Sequence, residues 1–186
     1  MTMSTNIKRT ACALAVFLAA TVSLAACGSS SSSTSSSTTP SQAVNSTIAA
    51  EVPAAIKSKG TLTVASDASY APNEYISPDG HTVVGMDPDL MKALADVMGL
   101  KVKVVNVTFD SIIPGMAAGK YDIGASSFTD TKAREKTVDF VTYLSVGEAF
   151  LTKAGGGPSV SSLPDLCGRT VSVEKGTVEL TDATTQ

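Results

Sequence analysis

Thr61-Leu62-Thr63-Val64-Ala65, then Asp87-Pro88-Asp89-Leu90, then Val102-Lys103-Val104-Val105-Asn106-Val107 are the three runs that decide the fold. The first is rich in β-branched and apolar residues and follows Gly60, so it reads as a strand. The second opens a helix: Asp87 fits the N-cap, Pro88 the first helical position and Asp89 the positive end. Leu90, Leu94 and Val97 recur at helical spacing, and Gly99 stops the run. The third run is again a strand. Asp87 and Asp89 also resemble the start of a calcium loop, but the glycine and the distal glutamate of that motif are missing, so capping is the better reading.

Working outward, Val52 to Lys59 reads as a short helical lead-in, and Ser66 to His81 as a loop. Downstream come a short helix over 111–118 closed by Gly119, a short buried strand at Ile123-Gly124-Ala125, a helical turn or two over 131–137, and a longer strand over 143–152. The order β-α-β-α-β-α-β predicts an α/β sandwich with a largely parallel sheet. Ligands in such sheets sit beyond the carboxyl ends of the strands. The loops there are Ser66–Tyr70 and Ser126–Thr131. Lys153-Ala154-Gly155-Gly156-Gly157-Pro158 reads as a junction. Thr170-Val171-Ser172-Val173 then starts a new strand, and Gly176-Thr177 opens a helix at Val178. The expected organisation is a first lobe over 51–153 and, over 154–186, a hinge with the start of a truncated second lobe.

The first fifty residues read differently. Lys8 and Arg9 precede an apolar run from Ala11 to Ala20, about the length of a signal h-region and short for a membrane span. The run ends at Leu24-Ala25-Ala26-Cys27, which resembles a bacterial lipobox. That resemblance implies a signal peptide over 1–26, cleavage before Cys27 and a diacylglyceryl thioether on it. An ordinary secretory signal with a chance cysteine is the alternative. From Ser29 to Ser41 every residue but Pro40 is Ser or Thr. Such a run buries nothing, and residues 27–50 are expected to form a disordered tether holding the domain off a membrane.

Composition narrows the function. Of 186 residues, 43% are hydrophobic and 17% charged, a globular balance; Trp is absent and aromatics are 5%, so the core is aliphatic. The net charge is −3, and without Lys8 and Arg9 the 14 basic residues fall two further behind the 17 acidic ones. A nucleic-acid partner would need a basic face and is excluded. One His and three scattered Cys give neither a zinc site nor any other metal site. No cofactor is expected.

The loops resemble those of the bacterial extracellular solute-binding proteins, family 3, the amino-acid receptors of ABC importers. Asp67-Ala68-Ser69-Tyr70-Ala71-Pro72 is similar to the family's D-x-x-Y-x-P segment. Val84-Gly85-Met86-Asp87-Pro88-Asp89-Leu90 is similar to its G-[FY]-D-x-D-L helix start. Ser126-Ser127-Phe128-Thr129-Asp130-Thr131-Lys132-Ala133-Arg134 resembles its S-x-x-S-x-T-x-x-R ligand loop, and Val138-Asp139-Phe140 follows as in the family. Gly168 to Val173 with Lys175-Gly176-Thr177 resembles the start of its second lobe. The resemblance spans about Gly60 to Leu180. It implies a type II periplasmic-binding-protein-like α/β fold and a receptor that closes two lobes on its ligand.

A free amino acid carries a carboxylate and an ammonium, and a buried lone charge is costly, so both need partners. Arg134 suits the carboxylate because its planar fork binds two oxygens at once; a solvated helix charge is the alternative. Thr129 adds an N–H and a hydroxyl. Asp67 is either the partner of the ammonium or of a polar side chain, or a turn residue capping its own loop. Tyr70 lays its ring on the ligand side chain, or else serves as a core aromatic. Ser127 offers a carbonyl or hydroxyl. Gly176 and Thr177 form a helix start that meets the carboxylate on closure. Two departures from the family stand out: Asn73 where an aromatic is usual, and Val178 where a Thr is usual.

The function expected from this resemblance is a lipid-anchored, monomeric receptor on the extracytoplasmic face of the cell membrane. It binds an amino acid or similar small polar solute and hands it to the permease subunits of an ABC importer. It is not an enzyme. The alternatives are an enzyme on the same fold, a dehydratase or a peptidoglycan lyase, with Glu74 and His81 as candidate acid or base, and a sensory or adhesive lipoprotein. Cys12 and Cys27 fall to the leader, so Cys167 is expected to pair with a cysteine beyond Gln186. The 186 residues alone are expected to bind ligand weakly.

Overall fold

The computed structural model of the protein describes residues 41–185. The leader, Cys27 and the Ser/Thr run up to residue 40 lie outside the described residues. Among the described residues no helix is long and apolar enough to cross a membrane.

Two short helices lead in: α1 (Ser46–Glu51) and α2 (Ala54–Lys59). The Asn45 side chain caps α1 by accepting N–H bonds from Thr47 at 3.0 Å and Ile48 at 3.2 Å. Its own N–H donates to the carbonyl of Val97, at 2.9 Å. An ordered helix therefore occupies the last part of the stretch expected to be tether. Gly60 ends α2 at φ 67°, in the left-handed region.

Strand β1 (Thr61–Ser66) is central in a three-stranded parallel sheet, with β5 (Lys101–Asn106) on one side and β6 (Ile123–Gly124) on the other. Val64 pairs with Val104 and with Ile123. Being central and covered on both faces, β1 buries Val64, Ala65 and Ser66 almost completely. Helix α3 (Met86–Met98) packs Met91 and Ala95 against Leu62, Val64, Leu100 and Ala125. This core is aliphatic, as the composition requires.

The segment expected to be a loop over 66–81 is instead largely a second, antiparallel sheet of β2 (Ser69–Tyr70), β3 (Glu74–Ile76) and β4 (Val83–Val84). The Asp79 carboxylate accepts the N–H groups of His81 and Thr82 and closes the β3–β4 turn. Pro78-Asp79-Gly80 is thus a hairpin turn rather than part of a long loop.

The start of α3 also differs from expectation. The helix begins at Met86 with Gly85 as its N-cap, and Asp87 caps nothing. The N–H groups of Met86 and Asp87 donate to the carbonyls of Pro72 and Asn73, which leaves the Asp87 side chain free for other partners. Gly85 has φ 130°, and any Cβ there would collide with those same two carbonyls, so only glycine fits.

Helix α4 (Phe109–Ala117) starts two residues earlier than expected, because Asp67 caps it from outside: its Oδ2 accepts the Phe109 N–H at 2.8 Å. The turn after β6 narrows to a 3₁₀ helix at Arg134–Lys136. Neither 143–152 nor 170–173 forms a strand. Neither is paired with a neighbouring strand, and a β ladder needs one; Val146 and Leu151 are 79% and 99% exposed. A second 3₁₀ helix spans Leu163–Leu166, and α5 (Val178–Thr184) begins as expected, with Thr177 as its N-cap. Cys167 is exposed and unpaired among the described residues.

Candidate functional site

The carboxyl ends of β1, β5 and β6 open into a cleft of about 770 Å³. Asp67, Tyr70, Ser127, Thr129, Arg134 and Thr177 all line it, and Gly176 reaches it through its carbonyl. The seven residues singled out from sequence thus come together around one space, although they span more than a hundred positions of chain.

Arg134 sits at the start of the 3₁₀ turn, where the Thr131 hydroxyl accepts its backbone N–H. Its Nη1 donates to the Thr129 carbonyl at 2.5 Å and its Nη2 to the Gly176 carbonyl at 2.9 Å. The guanidinium carbon lies 5.2 Å from the ring centroid of Phe128 and 5.6 Å from that of Phe109. Those two rings stack on each other at 4.2 Å. Burial lowers the Arg134 pKa, and Glu179 opposes the shift; a guanidinium stays charged regardless. Two carbonyls hold the fork and two rings lie against it, which preorganises a cation for an anionic group.

Asp67 does not cap its own loop; its carboxylate caps a distant helix instead. One oxygen caps α4, while the residue still lines the cleft, and its N–H donates to the Ser126 hydroxyl at 2.9 Å. The loop it begins is tied further by the Ala68 N–H on Asn106 Oδ1. Tyr70 is 57% exposed and lines the cleft, so it is not a core aromatic. The Thr177 hydroxyl is occupied within its own turn, donating to the Glu174 carbonyl and accepting from Leu180. Asn73, where the family has an aromatic, donates from Nδ2 to the Ser127 hydroxyl at 2.9 Å. His81 lies in the β3–β4 turn and is absent from the cleft lining.

Several cleft residues escaped the sequence reading. Phe109 is one, with Phe128 stacked on it from outside the lining. Both are apolar residues next to a loop, a pattern that ordinarily means core. Ser126 is another, and beside it lies Glu74, which the sequence offered only as a candidate acid or base: its Oε1 accepts from the Ser126 hydroxyl at 2.8 Å. Burial, and next to it the charges of Asp87 and Asp67, push the Glu74 pKa up to about 8 against the pull of the Ser126 hydrogen bond. Asp87 lies just behind the wall, accepting from Ser127 N–H at 2.8 Å and from the Tyr143 hydroxyl at 2.7 Å. Burial and the bond to Asp87 raise the Tyr143 pKa. The tail contributes Glu148, Glu174, Glu179 and Asp182. Burial raises the pKa of Glu174, assisted by Asp67, and that of Glu148, assisted by Glu179 and Asp182. Six carboxyl groups, five of them besides the buried Glu74, therefore line the cleft against Arg134 and Arg169 alone. The cleft thus carries an excess of acidic groups, whose mutual repulsion a positive charge would relieve.

Residues 62–186 match the bacterial extracellular solute-binding proteins, family 3, and the chain belongs to that family. It is 36% identical over 135 residues to the arginine-binding protein ArgT of Corynebacterium glutamicum, covering 73% of this chain and 44% of that protein. It is 34% identical over 122 residues to the arginine-binding extracellular protein ArtP of Bacillus subtilis, covering 65% and 46%. The chain therefore spans about half the length of these relatives. Among solved structures it resembles the ancestral amino acid-binding protein AncCDT-1, a precursor of cyclohexadienyl dehydratase, with TM-score 0.66, 38% identity and 70% and 59% of the two chains covered. It also resembles the arginine-bound, truncated ArgBP of T. maritima, with TM-score 0.62, 32% identity and 71% and 62% covered. The α/β fold with its parallel sheet is that of the periplasmic amino-acid-binding proteins.

Proposed function

We propose that this chain is the ligand-receiving part of a receptor for a cationic amino acid, arginine or a close analogue. The observation that carries this reading is a single cleft holding one preorganised guanidinium at Arg134 and a wall of carboxylates. The ligand carboxylate takes Arg134 and the Thr129 N–H, displacing the Gly176 carbonyl from the guanidinium. The ligand's cationic side chain lies along the Phe109 and Tyr70 rings toward the carboxylates, where cation–π contact and charge both favour it. The arginine-binding relatives support the same ligand class. The cleft serves binding rather than turnover, because the acidic side chain nearest to a general acid, Glu74, is engaged with Ser126 and shielded from solvent. Asp67 likewise holds α4.

In the cell this receptor is anchored by lipid on Cys27, faces outward and delivers its ligand to an ABC permease. A ligand panel tests the specificity: calorimetry is expected to show heat of binding with L-arginine and L-lysine and none with L-glutamate. Preference for an anionic or apolar amino acid would contradict the reading. Mass spectrometry of the membrane fraction tests the anchor, with an acylated N-terminal Cys27 expected and a soluble product cleaved elsewhere as the contrary result.

A further inference from the structure

Two carboxyl groups in this lobe are more deeply buried than anything else ionisable, and both stand directly behind the ligand loop. Glu74 on β3 is 1% exposed and Asp87 on α3 is 0% exposed. They grip consecutive residues. Glu74 Oε1 accepts from the Ser126 hydroxyl at 2.8 Å. Asp87 Oδ2 accepts from the Ser127 N–H at 2.8 Å and from its hydroxyl at 3.2 Å, while Oδ1 accepts from the Tyr143 hydroxyl at 2.7 Å. Ser127 needs holding: at φ 47° it is the one non-glycine residue in the left-handed region among the described residues.

The donors are unequally shared. Asp87 receives three, whereas Glu74 receives one. Glu74 Oε2 is buried and has no N–H or O–H pointing at it, although its carboxyl lies within hydrogen-bonding reach of Asp87. Two carboxylates in contact away from water cannot both ionise. A proton on Glu74, donated to Asp87, gives the orphaned oxygen its partner and removes the repulsion. The charged groups facing Glu74 are Asp87 from α3 and Asp67 from the end of β1, both acidic; Ser126 faces it from the loop after β6. Tyr143 closes the far side of Asp87.

We propose that Glu74 and Asp87 hold one proton between them, and that this shared proton positions Ser126 and Ser127 for ligand binding. The two residues are positioning residues that act through the serines. The link to binding rests on the receptor reading above, while the shared proton does not. Loss of the proton leaves two anions in contact, the pair separates, and one or both serines leave their place.

The test is a pH series on the full chain, labelled with ¹⁵N and followed at the Ser126 and Ser127 amides. Both signals are expected to shift together with a midpoint of about 8, and E74Q, which mimics the protonated carboxyl, is expected to abolish that shift. L-arginine affinity in the wild type is expected to fall about tenfold, one hydrogen bond's worth, on passing above that midpoint. E74Q is expected to fall less, by the loss due to the ligand's own ammonium alone. Amides that stay still from pH 5 to pH 10, or a shift that persists in E74Q, overturns the shared proton and leaves the receptor reading intact. A normal amide titration with no binding of any amino acid supports the pair and overturns the receptor reading. Should E74Q fail to fold, infrared spectroscopy of the wild type decides. A buried protonated-carboxyl band at pH 6 that is lost by pH 10 supports the pair, and no such band at pH 6 overturns it.

Discussion

Residues 46–128 and residues 138–185 belong to one chain and face the same cleft, yet they are held in different ways. The first region is registered. β1 pairs on both edges, α3 covers the sheet, and Val64, Ala65, Ala95 and Ile112 have almost no exposed surface. The second region has no fully buried residue and no strand. It attaches through a few polar contacts to the cleft rim: Arg134 to the Gly176 carbonyl, Lys175 to Asp110 at 2.7 Å, and Tyr143 to Asp87. The difference teaches that the sheet region sets the site's geometry, while the tail lends charge to it. Contacts of the second kind are individually weak, because exposed ion pairs are worth at most about 1 kcal/mol.

Substitutions in the two regions are therefore expected to differ most sharply in stability. Ile112→Ala removes a fully buried side chain that packs on Gly124. It is expected to cost about 2–5 kcal/mol by urea unfolding. Leu151→Ala, at a residue 99% exposed, is expected to change stability by less than about 0.5 kcal/mol. Equal losses at both positions would break the comparison.

A smaller but still large effect is expected at the entry to α3. Gly85→Ala forces a Cβ into the carbonyls of Pro72 and Asn73 at a positive φ. The expected loss is on the order of 2 kcal/mol or more, together with weaker ligand binding, because α3 carries Asp87 to Ser127. A variant as stable as the wild type would show that the turn over 72–73 yields easily.

The next effect is one of pH. The folded protein holds the Glu74 proton up to about pH 8, whereas the ordinary value is 4.5. Between those values the native state binds a proton that the unfolded chain has released. The contribution of Glu74 to stability is thus fully present below 4.5 and is lost as pH rises toward 8, by an amount on the order of 1–3 kcal/mol. Glu74→Gln is expected to flatten that slope between pH 5 and pH 8.5. Hydrogen exchange gives the gentlest contrast: amides of Val102–Val105 are expected to be protected, and those of Thr170–Val173 to exchange quickly. Strong protection of the second segment would show it to be registered after all.

Much of this was legible in the sequence where one local cause sufficed. β1, β5 and α3 follow from residue type, period and the stops at Gly60 and Gly99. The parallel order places the cleft at the strand ends, and the motif residues Asp67, Tyr70, Ser127, Thr129 and Arg134 meet there. What was not legible depended on distant partners. Asp87 looked like a cap because Asp before Pro at a helix start usually is one; its true partners lie 40 and 56 positions away, at Ser127 and Tyr143. Glu74 gave no motif, since its burial comes from β3, a strand hidden within an expected loop. The segments 143–152 and 170–173 have strand-forming composition but no neighbour to pair with, and composition alone does not supply one.

The central claim is that Arg134 receives the carboxylate of an amino acid in the cleft that the sheet region builds. Calorimetry on the full chain with two ligands, L-arginine and its decarboxylated analogue agmatine, against wild type and Arg134→Lys tests it most directly. A two-pronged, charge-assisted contact is worth on the order of 1.5–3 kcal/mol, about tenfold to a hundredfold in affinity. Arg134→Lys is expected to lose that much for L-arginine and almost nothing for agmatine, because agmatine has no carboxylate to lose. Equal losses for both ligands, or none for L-arginine, would contradict the account.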